Sequence, residues 1–175
     1  MTRHTNWYVI TGAPCSGKTA VICELERMGF QVVHEAARAY IDSELQKGRT
    51  MDSIRGDALK MQQAILCQKL KNEAHLPASE QIFLDRGIPD SIGYYHLSGL
   101  NAQEAVEHSG AVRYKKIFFF ERLAFAKDRV RSEDDQTAAK LDTLTAAAYE
   151  MLAYDLIRVP VLSVRERTDF VLRHL

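Results

Sequence analysis

Cysteine and proline are both scarce, with three cysteines (Cys15, Cys23, Cys67) and four prolines in 175 residues. The cysteines are odd in number and show no CxxC spacing, so neither a disulfide framework nor a zinc site is indicated. The prolines mark no linker. No apolar stretch approaches the length a bilayer requires; the longest aromatic-aliphatic run is Ile117 to Phe120. Neither charge is in excess, with 23 Lys and Arg against 23 Asp and Glu. The basic surplus of a nucleic-acid binder is therefore missing. The first residues, Met1-Thr2-Arg3-His4-Thr5-Asn6, lack the apolar core of a signal peptide. These absences lead us to expect a cytoplasmic protein with neither a membrane nor a nucleic-acid partner.

What remains is an ordinary globular composition, 46% hydrophobic and 26% charged, at a length that suits one compact domain over residues 1–175. Short apolar runs alternate with longer amphipathic ones. Strands are expected at Trp7–Thr11, Phe30–His34, Gln81–Leu84, Lys116–Glu121 and Leu156–Val159. Helices are expected over Gly17–Met28, Ala36–Lys47, Pro89–Leu97, Asn101–Glu107, Asp134–Ala153 and Ser163–Leu175. Asp52 is placed to cap one long helix reaching Ala74, with Ile54, Ala58, Met61, Ile65 and Leu66 on its apolar face. Strands separated by helices pair in parallel through right-handed crossovers, which gives a three-layer α/β sandwich. The continuous run Ile117-Phe118-Phe119-Phe120 fits a sheet covered on both faces.

The segment Gly12-Ala13-Pro14-Cys15-Ser16-Gly17-Lys18-Thr19 satisfies the phosphate-loop pattern GxxxxGK[ST]. It directly follows an apolar strand and directly precedes a helix that begins near Gly17 and runs on through Ala20. Gly12 and Gly17 allow a tight curl that turns successive N–H groups toward an anion, and the helix adds its positive end. Lys18 can reach the β- and γ-phosphates, and the Thr19 hydroxyl can complete a magnesium shell. Cys15 occupies a position where no particular side chain is required and reads as a small filler.

At the end of the third strand stands Ile82-Phe83-Leu84-Asp85-Arg86-Gly87. An Asp there can hold magnesium, or accept a proton from an attacking hydroxyl. Motor-type and AAA-type ATPases usually follow this Asp with a glutamate that activates water. Here the next residue is Arg86, whose guanidinium stays protonated and cannot act as a base. Arg86 instead suits an acceptor or the charge on a moving phosphoryl group. No Asn-Lys-x-Asp guanine signature is present, and Asp85-Arg86-Gly87-Ile88 does not form a DxxG switch.

Together these residues resemble the small P-loop kinases of the nucleoside and nucleotide kinase superfamily. The stretch Asp85 to Tyr95 is similar to the DR-x-x-x-S-x-x-AY segment of thymidylate kinases, spaced one residue differently. Phe30 to Arg38, taken with Asp85 to Asp90, more closely resembles a family of P-loop ATPases. That family carries an AAA-type ATP-binding domain and is related to the ribosylnicotinamide kinase domain of bifunctional NAD-biosynthesis regulators. The resemblance implies a five-stranded parallel sheet ordered 2-3-1-4-5 and a lid over about 122–135. Independently, the cations Lys127, Arg129 and Arg131 fall in that segment, where they would neutralise transition-state charge. Arg129 and Arg131 are the stronger lid candidates. Related kinases contact the acceptor just after the second strand, which makes Glu35 and Arg38 candidates for an acceptor hydroxyl and an acceptor anion. Tyr94, Tyr95 and His96 are candidates for lining that pocket, with at least one tyrosine assigned to the core. His4, His75, His108 and His174 have no partner pattern and read as surface positions.

The expected function is ATP- and Mg-dependent phosphoryl transfer to a small hydroxyl-bearing metabolite, in a monomer or homodimer. Lys18, Asp85, Arg86, Arg129 and Arg131 form the catalytic set. Two alternatives stay open on the residues alone: a nucleotide-hydrolysing switch that acts through a protein partner, and a nucleotide-sensing module.

Overall fold

A computed structural model of the chain describes residues 2–123 and 135–175. Five parallel strands form the central sheet: β2 (Trp7–Thr11), β3 (Gln31–Val33), β4 (Ile82–Asp85), β6 (Lys116–Phe120) and β7 (Leu156–Val159). Their spatial order is β3-β4-β2-β6-β7. Counting only these five in chain order, that is the expected 2-3-1-4-5. A separate two-stranded parallel ladder joins β1 (Arg3–His4) to β5 (Val112–Arg113), and the amphipathic pattern gave no sign of it.

The three inner strands are buried on both faces, as their unbroken apolar runs require. Along β2 the pleat alternates. Tyr8 and Ile10 join Phe83, Phe118 and Phe120 under helix α1 (Lys18–Arg27) and helix α8 (Val164–Arg173). Trp7 and Val9 join Ile82, Leu84 and Ile117 on the opposite face, where α4 (Ala58–Ala74), α5 (Asp90–Leu97) and α7 (Asp135–Met151) lie. The remaining helices are α2 (Ala36–Gln46), α3 (Met51–Arg55) and α6 (Gln103–Ser109).

The register places the site. Ile10 of β2 pairs with Asp85 of β4, and Thr11 pairs with Phe119 of β6. The C-terminal ends of the three inner strands therefore converge where β2 runs into the phosphate-loop segment and β4 runs into Arg86. This is the edge at which open parallel sheets carry their ligands.

One expectation needs correcting. The long helix capped by Asp52 is two helices. Thr50 caps α3 by accepting from the Ser53 amide at 3.2 Å, and Asp57 caps α4 by accepting from the Lys60 amide at 3.1 Å. Two competing cap residues with Gly56 between them break the chain where a single apolar stripe was read through. Asp52 lies in the first turn of α3 and caps nothing. Ile54, Ile65 and Leu66 are buried as expected, whereas Ala58 and Met61 are half-buried.

The two cap assignments make opposite predictions. Asp57→Ala should lower stability by about 0.5–2 kcal/mol, while Asp52→Ala should stay within about 0.5 kcal/mol of wild type. Urea unfolding midpoints measured side by side check this, and a larger loss at Asp52 would restore the single-helix reading.

Candidate functional site

The loop after β2 takes its shape from three left-handed residues: Gly12 (φ 128), Cys15 (φ 64) and Gly17 (φ 80). Gly12 is obligatory, since a Cβ there would stand 2.6 Å from the Phe120 carbonyl oxygen of β6. At the other end of the loop, Gly17 leads into α1 with no side-chain cap and no acidic residue in the first turn. Among the described residues the first turn of α1 therefore has no side-chain cap and no acidic residue of its own to meet the positive end of the helix. Lys18 folds back over the loop, its Nζ donating to the Ala13 carbonyl at 2.7 Å and to Ser16 Oγ at 3.0 Å. Thr19 and Ala20 are exposed at the mouth.

Beside this loop, Asp85 closes β4 and is 3% exposed. Its Oδ1 is buried without a hydrogen-bond partner among the described residues. A buried carboxylate oxygen left unsatisfied is costly and marks a place where another donor or a cation belongs. The exposed Thr19 hydroxyl and Asp85 supply the hard oxygen donors that magnesium selects, so these residues fit that ion.

Arg86 follows in a left-handed conformation (φ 71), which costs a non-glycine residue on the order of 1–3 kcal/mol. Its surroundings enforce the strain. Its amide donates to the Ile10 carbonyl at 3.0 Å. Its Nη1 donates to the Gly12 carbonyl at 3.0 Å and to Asp90 Oδ1 at 3.1 Å, and its Nε donates to Glu35 Oε1 at 2.7 Å. Asp90 is fully buried and also accepts from Thr11 Oγ1 at 2.6 Å, Tyr149 Oη at 2.6 Å and the Gly87 amide at 2.9 Å. One carboxylate therefore ties together β2, the turn after β4, and helices α5 and α7.

The electrostatics separate the site into two pairs. Burial, with the Arg86 charge close by, pulls the Lys18 ammonium down to about 7, only partly offset by Asp85, Glu35 and Asp90. Burial, reinforced by Glu35, pushes the Asp85 carboxyl above its usual range. Both groups are thus biased toward their neutral forms. Glu35 and Asp90 move the other way: burial would raise each, but the Arg86 guanidinium outweighs it and holds both ionised.

Residues 7–167 match the model of a family described as an AAA domain. The chain belongs to that AAA-domain family. No curated protein matches the sequence. Among solved structures, the deoxyadenosine kinase of M. mycoides, with the products dCMP and dCDP bound, superposes with a TM-score of 0.64 at 17% identity, over 96% of this chain and 97% of that one. The thymidylate kinase of Ehrlichia chaffeensis gives 0.67 at 12% identity, over 99% and 98%. A NadR protein in complex with NR gives 0.63 at 17% identity, over 89% of this chain and 45% of that one. At these identities the likeness shows a shared fold, the α/β fold of the P-loop kinases.

Within this AAA-domain chain, the structure brings Gly12 to Thr19, Asp85, Arg86, Glu35 and Tyr94 together. The Tyr94 ring lies 5.4 Å from the Arg86 guanidinium. Tyr95 belongs to the core and His96 is exposed, as are His4, His75, His108 and His174. Arg38 is exposed and makes no hydrogen bond or ion pair among the described residues. Lys127, Arg129 and Arg131, with most of the expected lid, lie outside the described residues.

Sequence reasoning missed several polar residues around the site. Asp90 follows Pro89 and reads as an ordinary helix-start acid. Asp142 accepts from the Ala13 amide at 3.1 Å from a helix whose spacing showed only amphipathicity. Lys69 and Glu73 are buried on α4. Lys69 holds the Gly87 carbonyl at 2.8 Å and Ser91 Oγ at 3.1 Å, and Glu73 accepts from Tyr114 Oη. Burial lowers the Lys69 ammonium and raises the Glu73 carboxyl to about 7. No local pattern distinguishes these residues from solvated helix charges.

Because ligand-free Lys18 titrates near 7, a polyanion in the loop raises that value and draws in a proton. The sign is fixed: affinity for a triphosphate falls as pH rises above 7, and binding at pH 8 takes up close to one proton. Calorimetric titration in buffers of different ionisation enthalpy measures the uptake, and a heat independent of buffer would contradict it.

Proposed function

We propose that the protein is an ATP- and Mg-dependent phosphotransferase acting on a small hydroxyl-bearing metabolite, with a nucleoside or nucleotide as the leading acceptor. One observation carries this reading. The position after Asp85, where a hydrolase would keep a water-activating carboxylate, holds a buried arginine bonded to Glu35 at 2.7 Å. The loop can bind a triphosphate while no carboxylate directly after Asp85 is available to activate water.

The roles follow from the chemistry of each group. The loop amides and Lys18 would hold the β- and γ-phosphates. Thr19 and Asp85 would hold magnesium, which would supply positive charge to offset that of the phosphates. Glu35 gives one carboxylate oxygen to Arg86 and leaves 27% of its side chain open to solvent. Since Arg86 keeps it ionised, Glu35 can accept the hydrogen bond of an acceptor hydroxyl and take its proton as the phosphorus–oxygen bond forms. Arg86 keeps Glu35 in place and faces Tyr94, whose ring offers a flat apolar surface to an acceptor. Arg38 at the open end of α2 is suited to an anionic acceptor. The lid cations Arg129 and Arg131 would complete charge neutralisation over the triphosphate. In-line phosphoryl transfer needs positioning and charge stabilisation more than covalent chemistry, and this inventory supplies both.

ATP consumption measured against a panel of nucleosides, nucleotides and other hydroxyl compounds tests the reading. Stimulation by one class of acceptor is expected, whereas hydrolysis at the same rate with and without every acceptor would favour a hydrolytic switch. Glu35→Gln should lower kcat by about 10²–10⁴ with little change in ATP affinity, the range typical of a lost general base. Full activity in this variant would remove Glu35 from the reaction.

A further inference from the structure

Arg167 lies in the second turn of α8, in a helix whose charged sequence reads as solvent-facing. It is nevertheless 2% exposed and among the largest fully buried side chains. No carboxylate pairs with it among the described residues. Its donors go to three backbone carbonyls from three different segments. Nε donates to Pro160 in the loop after β7 at 2.9 Å, Nη1 donates to Ser16 in the phosphate loop, and Nη2 reaches Glu121 at the end of β6 at 3.4 Å. The guanidinium also sits 5.4 Å from the Phe120 ring centre. A buried guanidinium whose hydrogen bonds all go to neutral carbonyls has lost much of its hydration, with only the Glu121 charge, not ion-paired to it, in partial compensation. An apolar side chain would anchor α8 at lower cost, so its position against the loop calls for another reason.

The Ser16 contact supplies that reason. A trans peptide points its carbonyl and its N–H in opposite directions. A donor on the Ser16 oxygen therefore fixes the direction of the Gly17 N–H. It also polarises that N–H as a donor, as hydrogen bonds in series do. Gly17 is the uncapped entry to α1, and a Cβ there would stand 3.0 Å from Arg167 Nη1. Arg167 thus acts from the carbonyl side of this peptide, opposite its N–H.

Resting on the reading of this loop as a triphosphate cradle, we infer that Arg167 is a positioning residue for the phosphate tail. It holds the Ser16–Gly17 peptide with its N–H facing the anion and places a fixed positive charge one peptide behind it. Through Pro160 and Glu121 it also ties the cradle to the ends of β7 and β6. The phosphate tail adds the anion that no ion pair supplies to this buried cation among the described residues.

The test uses the full chain and two probes, inorganic tripolyphosphate and a non-hydrolysable ATP analogue. Both are titrated calorimetrically into wild type, Arg167→Gln and Arg167→Lys, with melting temperatures recorded for each. Losing a charge-assisted bond should weaken binding of both probes by about ten- to a hundredfold in Arg167→Gln. Arg167→Lys, which keeps the charge but cannot span three carbonyls, should recover part of that loss. The KM for the phosphoryl acceptor should stay within about twofold, and the Gly17 amide proton resonance should shift in both variants. A residue that merely anchors α8 would lower the melting temperature and leave tripolyphosphate affinity and the Gly17 resonance unchanged, which would overturn the inference. If Arg167→Gln does not fold, Arg167→Lys decides by the same two readouts. Failure of wild type itself to bind tripolyphosphate would withdraw the cradle reading and this inference with it. Binding without phosphoryl transfer would refute the proposed reaction and leave Arg167's role standing.

Discussion

The ion pair between Arg86 and Asp90, closed off from solvent at the ends of β2 and β4, is the constraint on which the site depends. Several segments around the site are bonded to it. Gly12 of the phosphate loop and Glu35 before α2 are bonded to Arg86, while Thr11 of β2 and Tyr149 of α7 are bonded to Asp90. Removing one partner of such a pair leaves a buried charge uncompensated, at a cost on the order of 3–5 kcal/mol. The left-handed backbone of Arg86 is tolerated because these bonds over-determine it. Rigidity at this point lets a loop of small residues keep a shape that presents amides rather than collapsing on itself.

Around that knot the charges are arranged in a way that only a ligand completes. Glu35 and Asp90 are held ionised by Arg86, whereas Lys18 and Asp85 lean toward neutrality because burial deprives them of water. A polyanion would restore the charge on Lys18, and a divalent cation would restore the charge on Asp85. On the proposed reading, those two partners would be the two halves of a metal-bound triphosphate. Arg167, bonded to the Ser16 carbonyl, is a second buried cation against the same loop.

Much of this was legible in the sequence. The five strands followed from apolar runs alternating with helical periodicity, their order came from the family resemblance, and Gly12 to Thr19 declared itself by spacing and context. Asp85 and Arg86 were visible because a strand ended on them. The break between α3 and α4 was not legible, since Thr50, Asp52 and Asp57 are all competent caps and only tertiary packing selects two of them. Asp90, Lys69, Glu73, Asp142 and Arg167 were also hidden. Each sits in a helix where charged residues are usual, and its burial depends on what the rest of the chain packs against it. Polar residues that build a site from the second row leave no periodic signature, because each has partners remote in sequence, as far as 151 residues away for Arg167 and Ser16.

A crystal structure of the protein with magnesium and a non-hydrolysable ATP analogue tests the central claim most directly. The account predicts the β-phosphate seated on the amides at the start of α1, Lys18 Nζ moved from the Ala13 carbonyl onto phosphate oxygen, and the cation beside Asp85 and Thr19, with the Arg86–Asp90 pair intact. A triphosphate bound elsewhere, with Lys18 still on Ala13, would contradict it.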